Sequence, residues 1–287
     1  MRYVVASLIL LVNICQNQIL AFHHGLSTIG PDNSRIRLSK PLYKSRYSPI
    51  LSSVVDIAEN APRDIQSMEQ WAYSCGVQRA GGLQFTAENA LGTNDESRLD
   101  ISFMTTEDVP AGSPILYVPN VLVLSSYSAI TEFGRQDDAE DLLRSLNAES
   151  DIRHYYLMLK ILAEWEKGEK SQWYYWLNSL PRYYSNAVSM TPFCYKCLPS
   201  LMASLAMEER ASMNRLMIKK VPFLSIETRG NADLWVWAYQ VVYTRSFDDG
   251  SGDLCIAPMG DYFNHGAEAN ISMRYDDSGN FVVGKLG

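Results

Sequence analysis

The sequence predicts an α+β fold in which short β-strands are interrupted by a mostly helical insert. Three observations carry this. Residues 67–128 alternate in short pieces bounded by Gly and Pro, residues 129–243 switch to a helical apolar period, and residues 244–287 return to short strands that end in a hairpin signal. With 287 residues, 47% of them apolar, the chain has material for at least one large core, which excludes disorder and collagen as whole-chain descriptions.

In the first stretch Gly81-Gly82-Leu83-Gln84-Phe85, Leu99-Asp100-Ile101-Ser102-Phe103 and Ile115-Leu116-Tyr117-Val118 are strand candidates. Pro114 and Pro119 bound the last of them, and Pro110-Ala111-Gly112 supplies a turn. In the second stretch Leu142, Leu143 and Leu146 mark a short helix, and Ile152, Tyr156, Leu159 and Ala163 recur at i, i+4, i+7 and i+11 with Gly168 as a stop. Leu201 to Met217 is a further helix, and Leu234, Trp237, Ala238 and Val241 form another that Asn231 or Asp233 caps. The Trp173-Tyr174-Tyr175-Trp176 cluster at a helix end is expected in the core rather than as a stacking platform. In the third stretch Leu254-Cys255-Ile256, Ile271 to Tyr275 and Phe281-Val282-Val283 are strands, the last two joined by Asp276-Asp277-Ser278-Gly279-Asn280. Asp248 to Asp253 lacks the alternating carboxylates and terminal Glu of a calcium loop and is expected to be a hairpin turn.

Charge divides the chain. Residues 1–50 hold six Lys/Arg against one acidic residue, and the remainder holds 19 against 31, within a net charge of −7. An acidic globular part is not a general nucleic-acid binder. Val4 to Val12 is a nine-residue apolar run after Arg2, too short for the roughly 20 residues of a membrane-spanning helix, so no stable membrane insertion is expected. It has the length of a signal-peptide core, which assigns residues 1–21 to a signal peptide. Residues 22–60 form a disordered, transit-peptide-like leader, rich in Ser and basic with Asp32 as the lone acid up to Ile50. With Phe22 following Ala21, the arrangement resembles the bipartite plastid-targeting leaders of algae with secondary plastids. Plain secretion and a hydrophobic N-terminal strand are the alternatives.

Cys15 lies in the leader, leaving Cys75, Cys194, Cys197 and Cys255. Cys194 and Cys197 form a single CxxC with no second CxxC or HxxxH pair to complete four zinc ligands, and His23 and His24 lie in the removable leader. No metal site is assigned. The two thiols are expected at the start of a helical stretch.

One string carries chemistry: Pro258-Met259-Gly260-Asp261-Tyr262-Phe263-Asn264-His265-Gly266 sets Asp, Asn and His beside a turn Gly, between apolar segments. Its donors and acceptors need partners, and on spacing alone a hydrogen-bonded loop accounts for it. No GxGxxG follows a strand, and GxxxxGK[ST], HExxH and GxSxG are absent from the sequence, so dinucleotide, P-loop, zincin and hydrolase chemistry have no support.

With its surroundings this string resembles the SET-domain protein methyltransferases, in particular the branch with a long helical insert typified by the Rubisco large-subunit lysine methyltransferase. The family's D-x-x-N-H-S/G motif is matched by Asp261 to Gly266, and its S-R-x-F segment by Thr244-Arg245-Ser246-Phe247. Its early D-I-x-x-G segment is matched by Asp108 to Pro119, and the W-L-x-x-L-P start of its insert by Trp176 to Pro181. The four matches occur in the family's order over residues 67–287. The resemblance implies a SET domain whose N-terminal part is 67–128, insert 129–243 and C-terminal part 244–287, and S-adenosylmethionine (SAM)-dependent methylation of a protein side chain, lysine foremost and histidine as an alternative. It implies that Asn264, His265 and Arg245 bind SAM, with Arg245 on its carboxylate, that Gly82 and Leu83 form an early cofactor-contacting turn, and that Thr244 and Asp261 line the methyl-transfer pore. Two departures accompany it. Arg79-Ala80-Gly81-Gly82-Leu83 stands where the family usually has E-G-x-G-L, and the family's later catalytic Tyr segment would lie beyond Gly287, so the domain's C-terminal end is expected to be missing and no catalytic residue is assigned. A non-catalytic SET-like binding module is the alternative class.

Overall fold

A computed structural model describes residues 53–88, 99–264, 266 and 269–287. The signal peptide at 1–21, most of the leader and His265 lie outside the described residues. Residues 53–60, assigned to the leader from composition, belong instead to the packed domain. Val55 is buried, Ile57 packs on the core, and the Val55 carbonyl accepts from Trp165 Nε1 at 2.9 Å, so local apolar residues outweigh the polar character of their neighbours.

The packed chain opens with a helix where short strands were expected. α1 (Ile65–Ser74) starts where the Asp64 carboxylate accepts from Ser67 N, and it turns Met68 and Ala72 inward. The strands that follow are β1 (Gln78–Arg79), β2 (Leu83–Glu88), β3 (Asp100–Thr105), β4 (Pro114–Val118) and β5 (Leu124–Ser125). The insert is helical as expected: α2 (Ser126–Phe133), α3 (Asp137–Ser145), α4 (Ile152–Lys167), α5 (Tyr174–Ser179), α6 (Pro192–Cys197), α7 (Ser200–Leu216), α8 (Ile226–Gly230) and α9 (Ala232–Arg245). Short strands then return as β6 (Phe247–Asp248), β7 (Leu254–Ile256), β8 (Ile271–Tyr275) and β9 (Phe281–Lys285).

Three antiparallel sheets place these pieces. β2 and β3 form a hairpin with Leu83 opposite Thr105 and Glu88 opposite Asp100. A second sheet has the order β5-β7-β6, and its β6–β7 hairpin puts Asp249 to Asp253 in the turn. The largest has the order β1-β4-β9-β8, in which β4, before the insert, pairs with β9, after it, through Leu116 opposite Val283 and Val118 opposite Phe281. That pairing ties the chain before the insert to the chain after it, and the pairing of β5 with β7, Leu124 opposite Ile256, does the same nearer the ends of the insert.

α4 is the central helix, with Tyr155 to Leu162 buried without interruption, and it packs against α2 and α9. A helix apolar all round is one enclosed on all sides. Its one buried cation, Lys160, meets the Glu164 carboxylate at 2.8 Å and lies over the Trp173 ring. Of the aromatic run, Trp176 is fully buried and Trp173 and Tyr174 pack on the core, whereas Tyr175 is exposed. Cys194 is half-buried and Cys197 exposed on α6, both as free thiols; Thr191 caps this helix, so they do begin a helical stretch. Among the described residues no helix is long and apolar enough to cross a membrane.

Candidate functional site

β7 delivers the motif. Its three residues are buried, and the chain continues through Ala257, Pro258 and Met259 into a 3-10 turn at Gly260–Tyr262. Met259 adopts a left-handed φ of 68°, and Asp261 N donates to Ala257 O at 3.0 Å, which closes the turn. Glycine is required at 260 for space: a Cβ there would overlap the ring of Phe281 on β9.

The turn presents Asp261 to the last residue of α9. Arg245 Nη1 donates to Asp261 Oδ2 at 2.9 Å and to the Asp261 carbonyl at 3.0 Å, and Trp176 Nε1 from α5 donates to the same Oδ2 at 3.2 Å. The guanidinium lies 4.7 Å over the Tyr262 ring, whose hydroxyl donates to Ser179 O at 2.9 Å. An ion pair, an indole and a phenol from three elements thus meet at one turn.

The electrostatics follow from burial. Desolvation works against the charge on Arg245, but Asp261 and the phenols of Tyr262 and Tyr184 outweigh it, and the guanidinium is held firmly charged. Desolvation raises the Asp261 carboxyl, with Arg245 and Trp176 opposing. Burial pushes the Tyr184 phenol to about 12 although Arg245 stands beside it. Among the described residues, Arg245 Nε and Asp261 Oδ1 are buried without a hydrogen-bond partner, and the buried Tyr184 hydroxyl has Arg245 beside it. Leaving buried polar atoms unpaired costs about 1–3 kcal/mol each, so one donor, one acceptor and one hydroxyl in a single cluster fit a polar ligand that carries both charges.

The structure joins some of the sequence-derived residues and separates others. Arg245 and Asp261 are in direct contact, so Arg245 is engaged by protein and keeps Nε for other partners. Thr244 is exposed, and its hydroxyl donates to Gln240 O at 2.7 Å within its own helix. Asn264 is exposed, and its amide reaches Asp100 Oδ2 on β3 at 3.4 Å. Gly82, with φ 78°, and buried Leu83 lie at the start of β2, where the Gly82 carbonyl accepts from Thr106 N at 2.8 Å. Since Asp100 pairs with Glu88 at the opposite end of the hairpin, Asn264 and Leu83 are separated by about 17 Å of strand. The hairpin nonetheless leans on the motif: Phe85 meets Tyr262 edge-on at 5.2 Å and Phe103 meets Phe263 at 5.1 Å. Arg79, in place of the family's Glu, pairs with Glu69 at 2.5 Å and covers Tyr73.

Trp176, Ser179 and Tyr184 complete the cluster and were not assigned to the site from sequence. The Trp176 match in the W-L-x-x-L-P segment was the available signal; nothing local marks Tyr184. Among the described residues, no group of three or more His, Cys, Asp or Glu is placed to hold a metal ion.

No family model matches the chain. Protein SET DOMAIN GROUP 40 of Arabidopsis thaliana is 26% identical over 179 residues, which are 58% of this chain and 34% of that protein. The SET domain of LSMT bound to lysine and AdoHcy superposes with a TM-score of 0.56 at 16% identity, over 77% of this chain and 50% of that one. Rubisco LSMT bound to AdoMet gives the same values. The chain therefore spans about a third of the curated relative's length and about half of the solved chains' length. The chain therefore has the fold of the SET domain seen in Rubisco LSMT, with a weaker likeness in sequence to a SET DOMAIN GROUP protein.

Proposed function

We propose that this chain binds SAM and takes part in methylating a protein side chain, a lysine amine foremost. The observation that carries the reading is the buried Arg245–Asp261 pair with its unpaired Nε and Oδ1 and the Tyr184 hydroxyl beside them, placed by a fold whose solved relatives are described with AdoMet and with lysine. SAM supplies an electrophilic methyl group on a sulfonium. The chain's own residues bind its polar ends, through the free atoms of the cluster and the Asn264-His265 pair, and exclude water with Trp176, Tyr262 and Phe85. Water exclusion matters because a lysine amine has an ordinary pKa of about 10.4 and attacks only as the free base; a desolvating, aligned site favours that form.

Calorimetric titration of SAM tests the reading directly. Asn264→Ala should weaken SAM about tenfold, the equivalent of one lost hydrogen bond. Equal affinities at matched fold content would overturn the assignment of Asn264, and absence of SAM binding by the wild-type chain would overturn the whole reading. Isotope-labelled methyl transfer to a plastid extract then separates an enzyme from a non-catalytic binding module. Arg79 favours the module, because a cation already paired with Glu69 replaces the carboxylate expected near the early turn. The plastid address is also a proposal: residues 1–50 fused to a fluorescent protein should enter the organelle, and secretion of the fusion would count against it.

A further inference from the structure

Two arginines beside the motif lie on neutral partners alone. Arg182 is 6% exposed; its Nη1 donates to Leu180 O at 2.8 Å, and its Nη2 to Asn178 O at 2.9 Å and to Pro62 O at 3.3 Å. Arg63, next in the chain to Pro62, donates from Nε to Ser179 O at 2.8 Å and from Nη1 to Leu99 O at 3.1 Å. The two guanidiniums therefore sit on consecutive carbonyls at the end of α5, where a helix terminus offers about half a negative charge to two full positive ones. Among the described residues neither arginine forms an ion pair, unlike Arg245 on Asp261, and Arg182 Nε and Arg63 Nη2 are buried without a hydrogen-bond partner. Asp56 acts on Arg182 from farther away; it is exposed and its Oδ1 accepts from Ala58 N. Burial, and then the Arg63 charge, pull the Arg182 guanidinium down to about 10, whereas at Arg245 the opposing burial is outweighed by Asp261. Hydrogen bonds tie the pair to the motif. Ser179 O accepts from both Arg63 Nε and the Tyr262 hydroxyl, and Leu99 precedes the Asp100 that Asn264 reaches.

We propose that Arg63 and Arg182 form a binding site for one carboxylate group, beside the Arg245–Asp261 pair. Capping α5 accounts for the donors already used, but it does not account for a second buried charge, which is unfavourable without an anion. Two guanidiniums with an idle nitrogen each suit the two oxygens and single charge of a carboxylate. Arg63 and Asn178 are half-buried and Pro62 is exposed, so the group enters from that edge. The carboxylate has two possible sources, the amino-acid end of SAM and an acidic side chain of a bound polypeptide, and the same contacts serve both. Binding of a free carboxylate is read without SAM, so its outcome is independent of the proposed function.

The experiment follows the Arg182 Nε–H signal of the full 287-residue chain by NMR at constant ionic strength, with acetate and its neutral isostere acetamide as probes; absence of the signal from Arg182→Lys assigns it. Acetate should shift the signal and acetamide should not. Arg63→Gln should weaken acetate about tenfold, whereas Arg274→Gln, which removes an exposed arginine on β8, should change it by less than about twofold. Repeating the titration at saturating SAM separates the sources: SAM that shifts the signal and excludes acetate supplies the carboxylate itself, and an acetate affinity that SAM leaves unchanged assigns the site to an acidic side chain. Equal effects of acetate and acetamide, an unmoved Arg182 signal, or an unaltered affinity in Arg63→Gln would mean that the arginines only cap α5, with water on their idle nitrogens, and would overturn the proposal. If Arg63→Gln does not fold, the comparison of the two probes on the wild-type chain decides alone.

Discussion

Arg245 and Asp261 have side chains 11% and 0% exposed, and a pair so deeply buried is held together as much by the cost of separating it as by its own attraction. Arg245→Ala should cost about 3–5 kcal/mol in chemical denaturation, because Asp261 is left as an uncompensated buried carboxylate. Adding Asp261→Asn to that variant should recover part of the loss, and strict additivity in the double-mutant cycle would show that the pair is not coupled. Glu209 makes the opposite kind of statement. Burial lifts its carboxyl from 4.5 to about 7, so the folded state holds the proton more tightly than the unfolded state. Stability should therefore fall as pH rises from 4.5 to 7, and above that the ionised group costs roughly 3 kcal/mol. Glu209→Gln should match the wild type near pH 4 and exceed it at pH 8 by about 1–3 kcal/mol; identical pH profiles would show that the side chain is solvated. The Asp261 motif was legible in sequence because its residues are contiguous. Its partners were not, since Arg245 is 16 residues away and Trp176 is 85, and an indole in an apolar run gives no sign that its N–H faces a carboxylate.

Between elements, the contact of Gly260 with Phe281 fixes how the motif and the closing strand approach each other. Gly260→Ala should destabilise the domain by about 1–3 kcal/mol through overpacking, and Phe281→Leu in the same chain should relieve part of that; a neutral Gly260→Ala would mean that β9 moves aside freely. Elements with sharp punctuation were legible. β4 lies between prolines, α4 stops at Gly168 with φ 55°, and α9 starts where Asn231 Oδ1 accepts from Leu234 N at 3.1 Å. α1 and α2 were missed for a physical reason: each buries few residues, Met68 and Ala72 in one and Ser126 and Ala129 in the other, too few to print an apolar period. The two-residue strands β1, β5 and β6 exist through their partners alone, so no local pattern could reveal them.

At the scale of the molecule, α+β architecture and the order of strand, insert and strand were readable, because changes of apolar period survive without knowledge of contacts. The closure of the sheet was not, since pairing of β4 with β9 is a relation between residues on either side of the insert. Hydrogen exchange should show β4 and β9 opening together with one free energy; independent protection of the two strands would break this description. The same pairing sets a schedule for synthesis. Val118 leaves the ribosome about 160 residues before Phe281, an interval on the order of 10–30 s at ordinary elongation rates. Through that time β4 has an empty edge, so the nascent chain passes through a long window in which any extended strand from another polypeptide can take the place reserved for β9.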